Sequence, residues 1–187
     1  MAVSQALHNK TASRVRIIGG QWRSRTLNFP EVSGLRPTPD RVRETLFNWL
    51  GQALDGKACL DLFSGSGGLG FEALSRHARQ VVMVETDRAA LAALRSNAAT
   101  LGAAAEIVAS DALAFLQRDQ RQFDVIFLDP PFRQGWFDRL LPEILPHLAE
   151  GGRLYLESEQ ALAPPEPFCV YRSGKAGQVH YALWQRS

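Results

Sequence analysis

Ala58-Cys59-Leu60-Asp61-Leu62-Phe63-Ser64-Gly65-Ser66-Gly67-Gly68-Leu69-Gly70 begins as an apolar run, breaks into glycines and resumes as an apolar helical pattern. Strand, glycine loop, helix is the context in which Gly65-x-Gly67-x-x-Gly70 reads as a nucleotide-type fingerprint. Glycine allows the tight turn and lets a ligand approach the backbone where a Cβ would collide. Outward from this stretch the two patterns keep alternating. Strand-like runs are expected at 58–63, 80–85, 105–108, 123–128 and 153–157, with helices near 69–77, 88–101, 111–119 and 136–149. In the second helix Leu91, Leu94, Ala98 and Leu101 share one face behind an Asp87 cap. Regular alternation implies right-handed βαβ crossovers and a parallel sheet covered on both faces. The fold class is therefore α/β and Rossmann-like.

Three carboxylates narrow the ligand. Glu85 ends the second strand about twenty residues after Gly65, where an acidic side chain accepts both ribose hydroxyls. A dinucleotide fits that feature equally well. Asp111 follows the third strand and either accepts an adenine amine or simply caps the next helix. Asp61 lies inside the first strand, four residues before the glycine loop, in a position to receive a cationic amino group. A dinucleotide offers no ammonium, whereas an amino acid joined to adenosine does. S-adenosyl-L-methionine is the better fit.

A second decisive stretch is Asp129-Pro130-Pro131-Phe132, directly after the apolar run Phe123-Asp124-Val125-Ile126-Phe127-Leu128. Ligands of open α/β sheets bind outside the carboxyl ends of the strands, so Asp129 is expected to face a crevice. The prolines remove two backbone donors and leave the carbonyls of Asp129 and Pro130 as acceptors in a stiff loop. Carboxylate, carbonyl and the flat face of Phe132 together suit an exocyclic NH2 on a planar ring. The competing reading is an ordinary Asp-Pro-Pro turn with Phe132 in the core.

The chain has 187 residues and 45% apolar content, enough for one α/β domain with a small extension. Net charge is only +2, yet the first thirty residues carry Lys10, Arg14, Arg16, Arg23 and Arg25 and no acidic residue. A positive field gathered at one end favours a polyanionic partner over a merely solvated tail. Residues 1–13 read as a poorly ordered lead-in. Val15, Ile17 and Leu27 around Gly19-Gly20 read as a hairpin that carries the arginines and Trp22, either an RNA-contacting aromatic or an anchor on the main domain. Thr38-Pro39 signals a helix start, threonine as cap and proline at the first turn, with Val42, Leu46, Trp49 and Leu50 on the apolar face and Arg41, Arg43 and Glu44 elsewhere.

At the other end, 168–171 and 179–184 read as a β-hairpin around Ser173-Gly174-Lys175-Ala176-Gly177. Cys59 and Cys169 make no disulfide framework, and His8, His77, His147 and His180 lack metal-ligand spacing, so no metal is expected. No apolar run reaches membrane-spanning length and no signal peptide is evident, which makes the cytoplasm the expected compartment and a membrane partner unexpected.

The order Leu60-Asp61-Leu62-Phe63-Ser64-Gly65-Ser66-Gly67, Val84-Glu85-Thr86-Asp87, Ser110-Asp111-Ala112 and Asp129-Pro130-Pro131-Phe132 resembles class I S-adenosylmethionine-dependent methyltransferases acting on exocyclic amines. With Arg14-Val15-Arg16-Ile17-Ile18-Gly19-Gly20, Arg36-Pro37-Thr38-Pro39-Asp40-Arg41-Val42-Arg43-Glu44 and Lys175-Ala176-Gly177-Gln178-Val179, the chain resembles more closely the bacterial RsmD family, over residues 14–186. The resemblance implies guanine-N2 methylation of small-subunit (16S) ribosomal RNA, a seven-stranded sheet ending in an antiparallel hairpin, and Arg36 to Arg43 beside the active site. Two parts are expected: 1–57, a basic hairpin and helix extension for RNA, and 58–187, the methyltransferase domain. Candidate catalytic residues are Asp129, Pro130 and Phe132. Cofactor residues are Asp61, Phe63, Gly65, Gly67, Gly70, Glu85, Asp111 and Ala112. RNA-contacting residues are Arg14, Arg16, Arg23, Arg25, Arg36, Thr38, Arg41 and Arg43. The partner expected is 16S RNA within an assembled or assembling small subunit, bound by a monomer. Rival readings are a DNA or RNA adenine-N6 methyltransferase, a non-catalytic RNA-binding assembly factor and a nicotinamide dehydrogenase.

Overall fold

Apolar side chains alternate strictly along the central strands, and the alternation decides what covers each face of the sheet. Cys59, Val81, Met83, Val125, Phe127, Tyr155 and Leu183 point to one side, while Leu60, Val82, Val84, Ile126, Leu128, Leu154, Leu156 and Trp184 point to the other. Both sets are buried, as strands sandwiched between helices require. A computed structural model of the protein describes residues 13–31 and 37–187. The expected lead-in over 1–13, apart from Ser13, and Arg36 fall outside the described residues.

The first pair of strands, β1 (Ser13–Arg16) and β2 (Thr26–Phe29), forms an antiparallel hairpin followed by α1 (Asp40–Leu50). Then come β3 (Ala58–Asp61), α2 (Gly68–Ser75), β4 (Gln80–Glu85), α3 (Arg88–Leu101), β5 (Glu106–Ala109), α4 (Ala112–Arg118), β6 (Phe123–Leu128) and α5 (Trp136–Ile144). The chain ends with β7 (Leu148–Ser158), β8 (Phe168–Ala176) and β9 (Val179–Arg186). The seven-stranded sheet runs β5-β4-β3-β6-β7-β9-β8. Pairings through β7 are parallel, and β9 is antiparallel to both β7 and β8. Strand order reverses between β3 and β6, so their carboxyl ends, Asp61 and Leu128, open one crevice at the switch point.

The hairpin and α1 pack on the first face. Val15, Ile17, Leu27, Phe29, Val42, Leu46 and Phe47 join the apolar cluster of that side, and Trp22 packs against its edge. Asn97 on α3 fastens β2, accepting from the Asn28 backbone N–H at 3.2 Å and donating to its carbonyl at 2.8 Å. Helices α4 and α5 close the other face with Phe115, Leu116, Leu140 and Ile144.

Four expectations need correction. Pro39, not Thr38, occupies the α1 cap, without a side-chain hydrogen bond, because the Thr38 hydroxyl is turned inward. Arg43, expected on an outer face, is fully buried. Helix α5 stops at Ile144 and a 3-10 turn spans Leu145–His147, since Pro146 has no N–H to continue the α-helical ladder. The C-terminal strands are longer than read, and Ser173-Gly174 lies within β8. Gly174 sits opposite Tyr181, and a Cβ there would come within 2.6 Å of the phenol ring. This is close approach in a strand, which mimics a turn in sequence.

Candidate active site

The two decisive stretches meet at the switch point. Asp61 pairs in register with Phe127, two residues before Asp129. After β3 the chain turns through the glycine loop into α2. The Asp61 carboxylate, 3% exposed, accepts from the Gly70 N–H at 3.1 Å and thereby ties the end of β3 to the first turn of α2. Gly70 also packs α2 on β4, for a Cβ would lie within 2.8–2.9 Å of the Met83 side chain. Glu85, at the end of β4, accepts from the backbone N–H groups of Gly65 (2.9 Å), Thr86 (2.7 Å) and Asp87 (2.9 Å). It therefore shapes the loop in this structure. Gly67 caps α2 with positive φ. Phe63 meets Trp136 edge-on at 5.2 Å, joining the loop after β3 to the start of α5.

Asp111 caps α4, its Oδ1 accepting from Leu113 and Ala114 N–H groups at 3.0 and 3.2 Å, and Ala112 is buried behind it. Between the two readings of Asp111, the cap is the one seen. Asp129 is half-buried, and Phe132 is 39% exposed, one of two large apolar side chains so open among the described residues. Phe132 is therefore not in the core, although the chain does turn at Phe132 and Arg133 as the competing reading held. A cleft of about 470 Å³ runs past Pro130, Phe132, Trp136, Ser158, Glu159 and Leu162. Arg133 bridges its mouth to Glu159 at 3.1 Å.

The family described as "Conserved hypothetical protein 95" matches residues 15–185. Ribosomal RNA small subunit methyltransferase D of Escherichia coli K12 is 45% identical over 181 residues, 94% of this chain and 91% of that protein. Its Haemophilus influenzae counterpart is 42% identical, covering 91% of this chain and 93% of that protein. This chain belongs to the RsmD family. A solved putative methyltransferase from Escherichia coli, yhhF, superposes with a TM-score of 0.86 at 45% identity, over 94% of this chain and 99% of that one. The fold is that of class I methyltransferases, with the antiparallel end that family membership implied.

RsmD membership sharpens the meaning of the electrostatics. Burial, with the charge of Glu85 adding to it, pushes Asp61 up to about 7 against the pull of the Gly70 N–H. Asp129 is driven well above the ordinary carboxylate range by burial first, then by Glu157 and Asp61. Glu157, 4% exposed, is raised by burial although the hydroxyls of Thr38 and Tyr155 favour its ionised form. None of these carboxylates has a salt-bridge partner among the described residues. Such a cluster favours a cationic ligand, since a positive charge nearby restores the ionised forms. The residues present therefore fit the ammonium and sulfonium of S-adenosylmethionine. Asp61, Phe63, the glycine loop and Glu85 would hold it.

Other family candidates divide. Arg14, Arg23, Arg25 and Arg41 are exposed, and Arg16 is exposed while pairing with Asp40 at 3.4 Å. Arg43 is not available to RNA: it donates to Glu72, Asp40 and the carbonyls of Arg16 and Thr38. Thr38 is 7% exposed and donates to Glu157 Oε1 at 2.7 Å, so it too faces the interior. Glu157 itself was not among the candidates. Its position as the penultimate residue of β7, one strand from Asp129, was the available signal.

Proposed function

We propose that this protein transfers a methyl group from S-adenosyl-L-methionine to the exocyclic N2 amine of a guanine in small-subunit (16S) ribosomal RNA. The observation that carries the reading is the grouping of Asp129, Pro130 and an exposed Phe132 at the strand-order reversal, beside a buried Asp61. When bound, the cofactor supplies an electrophilic methyl group. The guanine amine is a weak nucleophile because its lone pair is delocalised into the ring. Asp129 and the Pro130 carbonyl accept its N–H hydrogens, draw the nitrogen toward a pyramidal shape and stabilise the positive charge that develops. Asp129 takes the released proton late. Phe132 stacks on the extruded base, and much of the acceleration comes from orientation of the amine against the methyl group.

Support for RNA as the partner comes from the family and from the exposed arginines of the β1–β2 hairpin. Guanine rather than adenine rests on the family resemblance alone. The substrate is RNA folded within an assembled or assembling small subunit, and the enzyme acts as a monomer in the cytoplasm. The test is incubation with labelled S-adenosylmethionine and small subunits from cells lacking the protein, followed by nucleoside analysis. N2-methylguanine is the expected product. N6-methyladenine, or efficient modification of duplex DNA, would replace this reading with the adenine one.

A further inference from the structure

Thr38 stands between two carboxylates. Its Oγ donates to Glu157 Oε1 at 2.7 Å and lies 3.5 Å from Asp129 Oδ2. Tyr155 donates to the same Glu157 oxygen at 2.9 Å. Thr38, Tyr155 and Glu157 are each buried, and Glu157 carries no ion pair among the described residues. A threonine hydroxyl has one hydrogen to give. While it goes to Glu157, the lone pairs of Oγ are left for Asp129, and they suit a protonated carboxyl better than a carboxylate. An unpaired buried carboxylate costs stability, and an apolar side chain at 157 would avoid that cost.

We propose that Glu157, acting through the Thr38 hydroxyl, is a positioning residue that fixes the orientation of the Asp129 carboxyl toward the amine whose proton it takes. The inference rests on the role of Asp129 given above. When the methylated amine sheds its proton, the N–H electron pair returns to nitrogen and the proton forms an O–H bond on Asp129. A second negative charge behind a shared hydroxyl makes Asp129 a stronger base for that step, and the Thr38 oxygen is placed to receive the new O–H. The groups facing this pair are Asp61 from β3, Tyr155 from β7 and Tyr181 from β9, none of them cationic.

The decisive measurement is carboxyl carbon NMR on the cofactor-free protein, following Asp129 across pH in wild type, Glu157→Gln and Thr38→Val. Loss of the Glu157 charge is expected to lower the Asp129 midpoint by about one pH unit or more. In single-turnover methyl transfer, Glu157→Gln should move the acid limb to lower pH. Thr38→Val should slow the step at least ~10-fold, with Thr38→Ser restoring it. An Asp129 midpoint unchanged in a folded Glu157→Gln protein, or in Thr38→Val should the former not fold, overturns the inference. If the midpoint moves but the wild type transfers no methyl group to guanine, the function proposed above fails and Glu157 loses its catalytic meaning. If the wild type transfers and both variants match its rate and pH profile, the inference alone fails.

Discussion

Glu72, wholly buried on α2, gathers four donors on two oxygens: the backbone N–H groups of Ile18 and Gly19 and the Arg76 guanidinium, each at 2.8 Å, and Arg43 at 3.4 Å. One carboxylate thus ties the hairpin and α1 to α2. Removing it takes the carboxylate from Arg76 and one of two from Arg43, which keeps Asp40, and leaves two amide donors unpaired, so Glu72→Ala should cost about 3–5 kcal/mol in urea unfolding. A loss under about 1 kcal/mol would show that the network is dispensable. Asp61 makes a pH-dependent prediction. Its folded value near 7 lies above the ordinary 3.8, so the folded state holds a proton that the unfolded chain releases between those values. This contribution to stability is full below about pH 4 and lost as pH rises through 7. Asp61→Asn should therefore flatten that slope and stabilise the cofactor-free protein at pH 8 by up to a few kcal/mol, while weakening S-adenosylmethionine. Equal stability at pH 8 for variant and wild type would contradict it. For Asp129→Ala the expected pattern is the reverse: cofactor affinity kept, single-turnover rate down ~100-fold or more. Calorimetry beside rapid-quench assays separates the two.

Elements were legible where period and punctuation agree. The β3 to β6 alternation, the Asp87 cap and the position of Asp129 just past the end of β6 all appear in the sequence, because each depends on near neighbours in the chain. What stayed hidden depends on distant ones. Arg43 reads as a surface arginine on a helix until Glu72, 29 residues away, is seen beside it. Thr38 reads as a cap until Glu157, 119 residues away, claims its hydroxyl. Gly174 reads as a turn until Tyr181 folds over it. The hairpin β1–β2 follows the same logic in reverse: Ile18, Gly19 and Trp22 are held by Glu72 and Ser75, so its exposed arginines ride on a fixed platform. Arg14→Gln with Arg23→Gln should weaken RNA binding and reduce the slope of log affinity against log salt by about 0.7–0.9 for each phosphate no longer neutralised. Cofactor affinity should not change. Slopes equal to wild type would place the RNA surface elsewhere, with exposed Arg41 the next residue to test.

At the scale of the whole molecule, nearly every element is already committed. One face of the sheet is covered by the hairpin, α1, α2 and α3, the other by α4 and α5. Among the described residues, the surfaces open to a substrate include the rim at the strand carboxyl ends, the basic hairpin, the cleft beside Phe132 and a second cleft of about 340 Å³ over the β8–β9 hairpin, lined by Val170, Lys175 and His180. No separate domain among the described residues is available to read a run of bases, and one guanine stacked on Phe132, as proposed, would give little discrimination by itself. The proposed function then points to selectivity from a surface whose shape presents one base and few others, as RNA recognition by shape requires. On the function proposed above, a folded small subunit would offer such a surface, and the cost of ordering the target loop would then fall on the ribosome's assembly and not on this encounter. Assembled small subunits should therefore be methylated at least ~10-fold faster, in kcat/KM, than an oligonucleotide carrying the same target loop. The comparison is made at one salt concentration, because binding to phosphates makes both affinities depend on ionic strength. Equal rates on the two substrates would mean that the rim reads local sequence after all, and would direct the search for specificity to the residues lining the cleft.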